Sequence, residues 1–333
     1  MAPYGSQRNA LQELRTNDPL PADPVDRQLG LEALVEKIDS YKSPNFDWAK
    51  KVFHRVDSET GAELRVAMKD HYLHAESQGL DFNNSTEASG VIDEWVETTT
   101  RDRTSNLVKS DDLTADVSAV LVNAVYFKGV WFRPFTPTGD DVFHVNSSKQ
   151  IKIPFMRKLD FFEYGELPRV DAEFIRIPYE INGSENEISM FIILPKLVDG
   201  IAELERKIKK VKIAQLLRGK LQEILLSMPK FTIKNEISID EPLKNAQFID
   251  MFTSVTGRSQ ASNVSSQRLS KFVQKVVIEV DEKSGFRGIN ASPLPGTPKL
   301  SINHPFIFIV ATTSGIPVIL FTARYTGSDY ENV

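Results

Sequence analysis

Cysteine is missing from all 333 residues. That rules out disulfide staples, thiolate metal sites and a cysteine nucleophile. No apolar stretch approaches the roughly 20 residues a helix needs to span a bilayer. The nearest candidate, around Phe306, is interrupted by Thr312, Thr313 and Gly315, so no membrane partner is expected. Cationic residues are in slight deficit. Lys and Arg number 40 against 45 Asp and Glu, for a net charge of -5. Without an overall basic field to attract phosphates, a nucleic-acid partner is not expected either. The chain has no Gly-x-Ser-x-Gly elbow, no phosphate-cradling glycine loop and no zinc spacing, so neither an enzyme nor a cofactor is expected.

The remaining composition, 41% hydrophobic and 26% charged, is ordinary for a soluble globular protein. The length allows one large domain or two small ones. Glycosylation sequons are in excess: Asn83, Asn84, Asn146, Asn182, Asn263 and Asn290 each precede x-Ser/Thr with no intervening proline. With 16 Asn in the chain, chance would give about two or three such sites. The excess points to a secreted, extracellular glycoprotein. A leader should accompany export, yet Met1-Ala-Pro-Tyr-Gly5 has neither a charged start nor an apolar core. Either export is absent or the true beginning lies upstream of Met1.

Along the chain, Asn9 to Arg15 and Leu29 to Ile38 read as helical, with Pro19, Pro21 and Pro24 between them. Lys51 to Val56 reads as a strand, and Leu64 to Ala75 as a helix or turn. Ile92 to Val108 suggests an exposed, polar-faced helix. Val117 to Phe127 is almost continuously apolar, as for a central strand buried on both faces. Ile188 to Leu194, Ile224 to Ile233 and Val276 to Val280 read as further strands, and Ile201 to Leu221 as a charged amphipathic helix. Near the end, Leu300 to Val310 and Ile316 to Phe321 are two β runs joined by the turn-forming Ala311-Thr-Thr-Ser-Gly315. Strands with interspersed helices and no regular alternation predict an α+β protein.

The run Asn303-His304-Pro305-Phe306, with its apolar continuation, resembles the carboxy-terminal signature of the serpins. Four internal stretches join it. They are Asn123 to Trp131, the series Met156, Ile177-Pro-Tyr179, Ser189-Met190 and Leu194-Pro195, then Met228-Pro-Lys-Phe231, and Val276 to Glu282. The resemblance, to an insect-like serpin with a short proline-rich reactive-centre loop, covers the chain from Gly5 onward. It implies the serpin fold as a single domain over 5–333, starting where the family's third helix begins and so lacking the first two helices. It further implies a monomer that offers an exposed loop, about 284–300, to a serine or cysteine protease.

In that family the loop inserts into a sheet as a new strand once cut, which requires small hinge residues and a full set of backbone donors. The hinge here is Glu282, Lys283, Ser284, Gly285, Phe286 and Arg287. Phe286 and Arg287 replace small residues, and one of them must face the interior in either register; an unpaired buried Arg is severely unfavourable. Pro293, Pro295 and Pro298 cannot donate to a ladder. Counted from Glu282 to Phe306, the loop is about four residues shorter than usual, roughly 13 Å of lost reach. Gln274 stands where the family commonly has His. Counting from the hinge places the scissile bond at Pro298-Lys299, counting back from Phe306 at Leu294-Pro295, and Lys299-Leu300 is the trypsin-like option.

Two functions therefore stand: a protease inhibitor working through this loop, as a trap or a reversible plug, and a non-inhibitory binding, storage or carrier serpin. His71 and His74 have no third ligand nearby, so they read as a solvated or structural pair and no metal is expected. Arg206, Lys207, Lys209, Lys210 and Lys212 could bind a polyanion weakly, although Glu203 and Glu205 beside them favour a plain solvated face.

Overall fold

The computed structural model describes residues 24–41, 46–56, 76–101, 107–114, 117, 119–180, 188–238, 269–283, 293–315 and 317–327. The chain forms two compact units, one of Met1–Phe127 with Lys234–Ile278 and one of Lys128–Ile233 with Glu279–Val333. No helix among the described residues is long and apolar enough to cross a membrane.

In the first unit, helix α1 (Pro24–Asp39) spans the expected Leu29 to Ile38 stretch. It opens on a proline, whose fixed φ suits a first helical turn and whose missing N–H would be unbonded there anyway. Strand β1 (Phe46–Arg55) contains most of the expected Lys51 to Val56 run. It pairs in parallel with β2 (Glu76–Leu80) and antiparallel with β3 (Ala119–Lys128), the near-continuous apolar strand. With β9 (Phe231–Ser238) and β10 (Leu269–Val280), the strand order is β2-β1-β3-β10-β9.

Helix α2 (Ser85–Thr100) starts earlier and ends sooner than the expected 92–108. Ala88, Ile92, Val96 and Thr100, four residues apart, form its buried stripe against Phe53, Leu80 and Val122. Thr98, Thr99 and Thr100 bond back to the carbonyls of Glu94, Trp95 and Val96. Such β-branched, back-bonding residues propagate a helix poorly. Arg101 then turns left-handed with φ of 56°. Leu107 and Val108 lie beyond the helix, buried in the same cluster.

The second unit is built on an eight-stranded sheet. Its strands are β4 (Thr136–His144), β5 (Gln150–Leu167), β6 (Ala172–Pro178), β7 (Ile188–Pro195), β8 (Lys220–Pro229), β11 (Lys299–Ser301), β12 (Phe306–Thr312) and β13 (Ile319–Tyr325). The order is β11-β8-β5-β6-β7-β12-β13, with β4 on β5. Strand β7 matches the sequence reading, but the single run expected over 300–310 is divided between β11 and β12, and the run expected over 316–321 becomes β13 only from Ile319 and is largely not buried. The single strand expected over 224–233 is two, because Pro229 closes β8 and Phe231 opens β9.

The amphipathic helix expected over 201–221 is broken into α3 (Ile201–Lys207), a 3-10 turn (Ile208–Lys210) and α4 (Ile213–Leu216), and Leu221 already belongs to β8. The cause is a jump in apolar spacing. Ile201, Leu204, Ile208 and Val211 keep a helical period, but Ile213 follows after two residues, and all of them pack on the cluster of Phe174, Phe191, Ile193 and Ile309. One helix cannot keep both sets buried, so Val211 and Lys212 adopt extended backbone.

Candidate functional site

The candidate site is the segment leaving β10, together with the run that returns to the sheet as β11. Its first end is pinned from three directions. Lys128 Nζ lies 2.6 Å from Glu279 Oε2 and 3.2 Å from Asp281 Oδ2. Burial works against the Lys128 charge, but hydrogen bonds to Glu279 and Asp281 outweigh it and hold its pKa above the ordinary lysine value. Lys230 Nζ sits 3.1 Å from Glu282. The Trp131 indole N–H donates to the Asp281 carbonyl at 2.5 Å, while the backbone N–H groups of Trp131 and Phe135 donate to the carbonyls of Lys283 and Glu282. These backbone bonds extend the strand-like exit of β10 past its last ladder residue.

Trp131 is fully buried and stacks on Tyr179, with ring centroids 4.4 Å apart and planes 9° off parallel. Phe135 also packs on the indole, with ring centroids 5.4 Å apart and planes tilted by 57°. Gly129 permits this arrangement, since a Cβ there would come within 2.1 Å of the Tyr179 ring. Burial pushes the Tyr179 phenol well above its ordinary pKa, so it stays neutral.

Of the six hinge residues, Glu282 and Lys283 belong to this pinned end. Ser284, Gly285, Phe286 and Arg287 lie outside the described residues.

The far end of the loop has a defined geometry. Leu294, Pro295, Gly296 and Thr297 form a β-turn in which the Thr297 N–H donates to the Leu294 carbonyl at 3.1 Å. Proline second and glycine third, with the glycine at φ of 91°, is the type II pattern. Leu294 is 73% exposed at the start of this turn. Lys299, Leu300 and Ser301 instead pair in parallel with Leu225, Leu226 and Ser227 of β8. The carbonyls of Pro298 and Ser227 accept from the N–H groups of Leu225 and Ile302, at 2.9 and 2.8 Å. The candidate bonds thus fall in different settings: Leu294-Pro295 in an exposed turn, Pro298-Lys299 and Lys299-Leu300 in a sheet ladder.

Asn303, His304, Pro305 and Phe306 lead into β12. The Asn303 carbonyl accepts from the His144 N–H at 2.8 Å, and His304 Nε2–H donates to the Pro195 carbonyl at 2.8 Å. Phe306 packs in an aromatic cluster with Phe231, Phe308 and Tyr325. Burial lowers the His304 pKa from 6.5, the Pro195 bond opposes that, and His144 adds to the lowering. The unfolded chain therefore takes up this proton more readily than the folded one. The stability contributed by neutral His304 is complete above about 6.5 and is lost as pH falls from there through the depressed folded value. Urea midpoints measured from pH 7.5 to 5 are expected to fall, with a shallower slope for His304→Gln. An unchanged slope would exclude His304 as the cause.

Other sequence candidates spread over the surface. Asn83, Asn84 and Asn146 are exposed, and the Asn146 carboxamide oxygen accepts from Ser148 and Lys149 in the β4–β5 hairpin. Asn182, Asn263, Asn290, His71 and His74 lie outside the described residues. In the basic cluster, Arg206 and Lys207 both pair with Glu203 at 2.6 Å and hold its pKa down to about 2. Glu205 pairs with Arg324, while Lys209, Lys210 and Lys212 are exposed.

Lys128, Trp131, Tyr179 and Lys230 were absent from the sequence-derived site. A usable signal existed: Glu279, Asp281 and Glu282 crowd three acids into four positions at a strand end, which calls for cations nearby.

A family model described as Serpin (serine protease inhibitor) matches residues 4–327. Alaserpin of Manduca sexta is 33% identical over 313 residues, covering 90% of this chain and 78% of that protein. Antichymotrypsin-2 of Bombyx mori is 31% identical over 298 residues, covering 86% and 77%. Among solved structures, Serpin48 of the insect Tenebrio molitor superposes with a TM-score of 0.79 at 24% identity, over 97% of this chain and 86% of that one, a likeness of fold.

Proposed function

The chain belongs to the serpin family, and from that premise we propose that it inhibits an endopeptidase by offering the loop 284–300, with Leu294 as the residue presented. The observation that carries this is the 73% exposure of Leu294 at a turn tethered to β8 through β11. An apolar, unbranched-at-Cβ residue suits the specificity pocket of a chymotrypsin-like serine protease or of a cysteine protease. Serpins are generally not catalytic. The scissile region is read as Leu294-Pro295, because Pro298, Lys299 and Leu300 are engaged with β8.

The mode of inhibition follows from the loop's chemistry. Phe286 and Arg287 oppose entry into a buried sheet face, and three prolines withhold ladder donors. A preorganised turn loses little entropy on binding, so a reversible plug fits better than a covalent trap. The same hinge residues favour a second reading, a non-inhibitory binding, storage or carrier serpin.

The surrounding reading is a monomeric, extracellular glycoprotein, one serpin domain over 5–333, with the sequon excess and the continuous family match in support. Weak polyanion binding through Lys209, Lys210 and Lys212 belongs to the same reading.

The test incubates the protein with trypsin, chymotrypsin, papain and a cathepsin, followed by denaturing gels and residual-activity assays. Lost protease activity without an SDS-stable band is expected. A stable band would establish a working trap despite Phe286, Arg287 and the prolines. Four fully active proteases would leave the non-inhibitory reading.

A further inference from the structure

Strand register places an exposed apolar pair beside the candidate loop. Phe161 is 60% and Leu221 68% exposed. In the antiparallel β5–β8 ladder Phe161 lies opposite Glu223, and Glu163 opposite Leu221. Alternate strand residues share a face, so Leu159, Phe161 and Glu163 share theirs with Leu221, Glu223 and Leu225. On β11, Lys299 lies opposite Leu225, and the Pro298 carbonyl accepts from the Leu225 N–H. Carried back two residues, this register sets Thr297, the end of the Leu294 turn, level with Glu223 and hence with Phe161. Two strand spacings separate them, about 10 Å. The ends of the turn lie within roughly 7 Å of each other, so Phe161 falls within about 17 Å of Leu294.

We propose that Phe161 and Leu221 form a second docking surface for the protease that takes Leu294. This rests on the inhibitory reading above and adds a contact to it. Area argues for that occupant. A stable protein complex buries about 800 Å² on each partner, a disc of roughly 16 Å radius. One four-residue turn supplies only part of this, and a protease seated on Leu294 must rest on neighbouring surface. The patch also has the make-up of an interface centre, an aromatic and an aliphatic side chain with polar neighbours. Glu223, Lys299 and the Glu163–Arg176 ion pair at 2.8 Å flank it, and the half-buried Leu159 and Leu225 continue its apolar surface on the same face.

The experiment titrates the full chain and its Phe161→Ser/Leu221→Ser variant against whichever panel protease the wild type inhibits. Both proteins are also followed by sedimentation across a range of concentrations. The expected result is an inhibition constant raised about ten-fold or more in the variant, with an unchanged melting temperature. A synthetic peptide of residues 284–300 should bind the protease no better than that variant. Should the double variant melt early, Leu221→Lys alone replaces it and is expected to shift the constant in the same direction. Indistinguishable inhibition constants would overturn the second surface while leaving the inhibitory reading intact. A dimer lost on substitution would assign the patch to a second copy of the chain and overturn the proposal. If the wild type inhibits none of the panel, the inhibitory reading fails and this surface fails with it.

Discussion

Alanine at Trp131 is expected to remove about 4 kcal/mol of unfolding free energy, within the range for emptying a fully buried aromatic site. The indole makes three contacts at the base of the loop. It stacks on Tyr179, closes against Phe135 and donates to the Asp281 carbonyl. Its loss would leave a cavity and deprive the half-buried Asp281 carbonyl of this donor, and the second effect alone costs about 1 kcal/mol. Trp131→Phe separates the two, keeping most of the ring and losing only the hydrogen bond, and is expected to cost about half as much. Urea unfolding followed by circular dichroism measures both. A loss under about 1 kcal/mol for Trp131→Ala would show that the stack is not an anchor. Limited proteolysis of the same variants should reveal faster cutting after Lys283 in Trp131→Ala, because its indole no longer restrains the exit of β10.

The second large effect is expected at Leu294. Leu294→Arg should weaken inhibition of a chymotrypsin-like protease about 100-fold or more, equivalent to roughly 2.7 kcal/mol, because an apolar pocket gives the guanidinium no partner. Trypsin inhibition should rise in the same variant. Lys299→Ala serves as the control. Its backbone lies in the β11–β8 ladder, so neither inhibition should change. If Lys299→Ala rather than Leu294→Arg altered protease choice, the loop would be read in the wrong register and the presented residue would lie five positions further on.

Much of this architecture is legible in the residues where burial is two-sided or periodic. Val117 to Phe127 could hardly be other than a central strand, and β7 and β12 are buried at every position. Strand β5 was hidden for the opposite reason. Over its 18 residues Lys152, Arg157, Lys158, Asp160, Glu163 and Glu166 interrupt the apolar pattern, although Lys158 is buried and paired with Asp160 at 3.0 Å. A buried, paired lysine looks like a surface residue in a sequence. The broken helix over 201–221 was misread because its apolar spacing slips by one step, a small signal beside a strong charge pattern. At the site, the proline-rich loop and the signature around Asn303 are local and were readable. The acids at the end of β10 signalled a need for cations, but not which ones, since Lys128 and Glu279 are 151 residues apart and only the fold brings them together.

The way β11 and β12 are held also determines how a cut molecule would behave. Downstream of Leu294, the chain is hydrogen-bonded to β8 through β11, then runs as β12 between β7 and β13. Phe306 and Tyr325 are fully buried, and both pack on Phe231 from another part of the chain. Severing Leu294-Pro295 would free one peptide bond and no part of that core. The nicked protein should therefore elute as a single particle from a sizing column and come apart only in detergent. A native size standard would report it as whole, and only a denaturing gel would reveal that a protease had already been there.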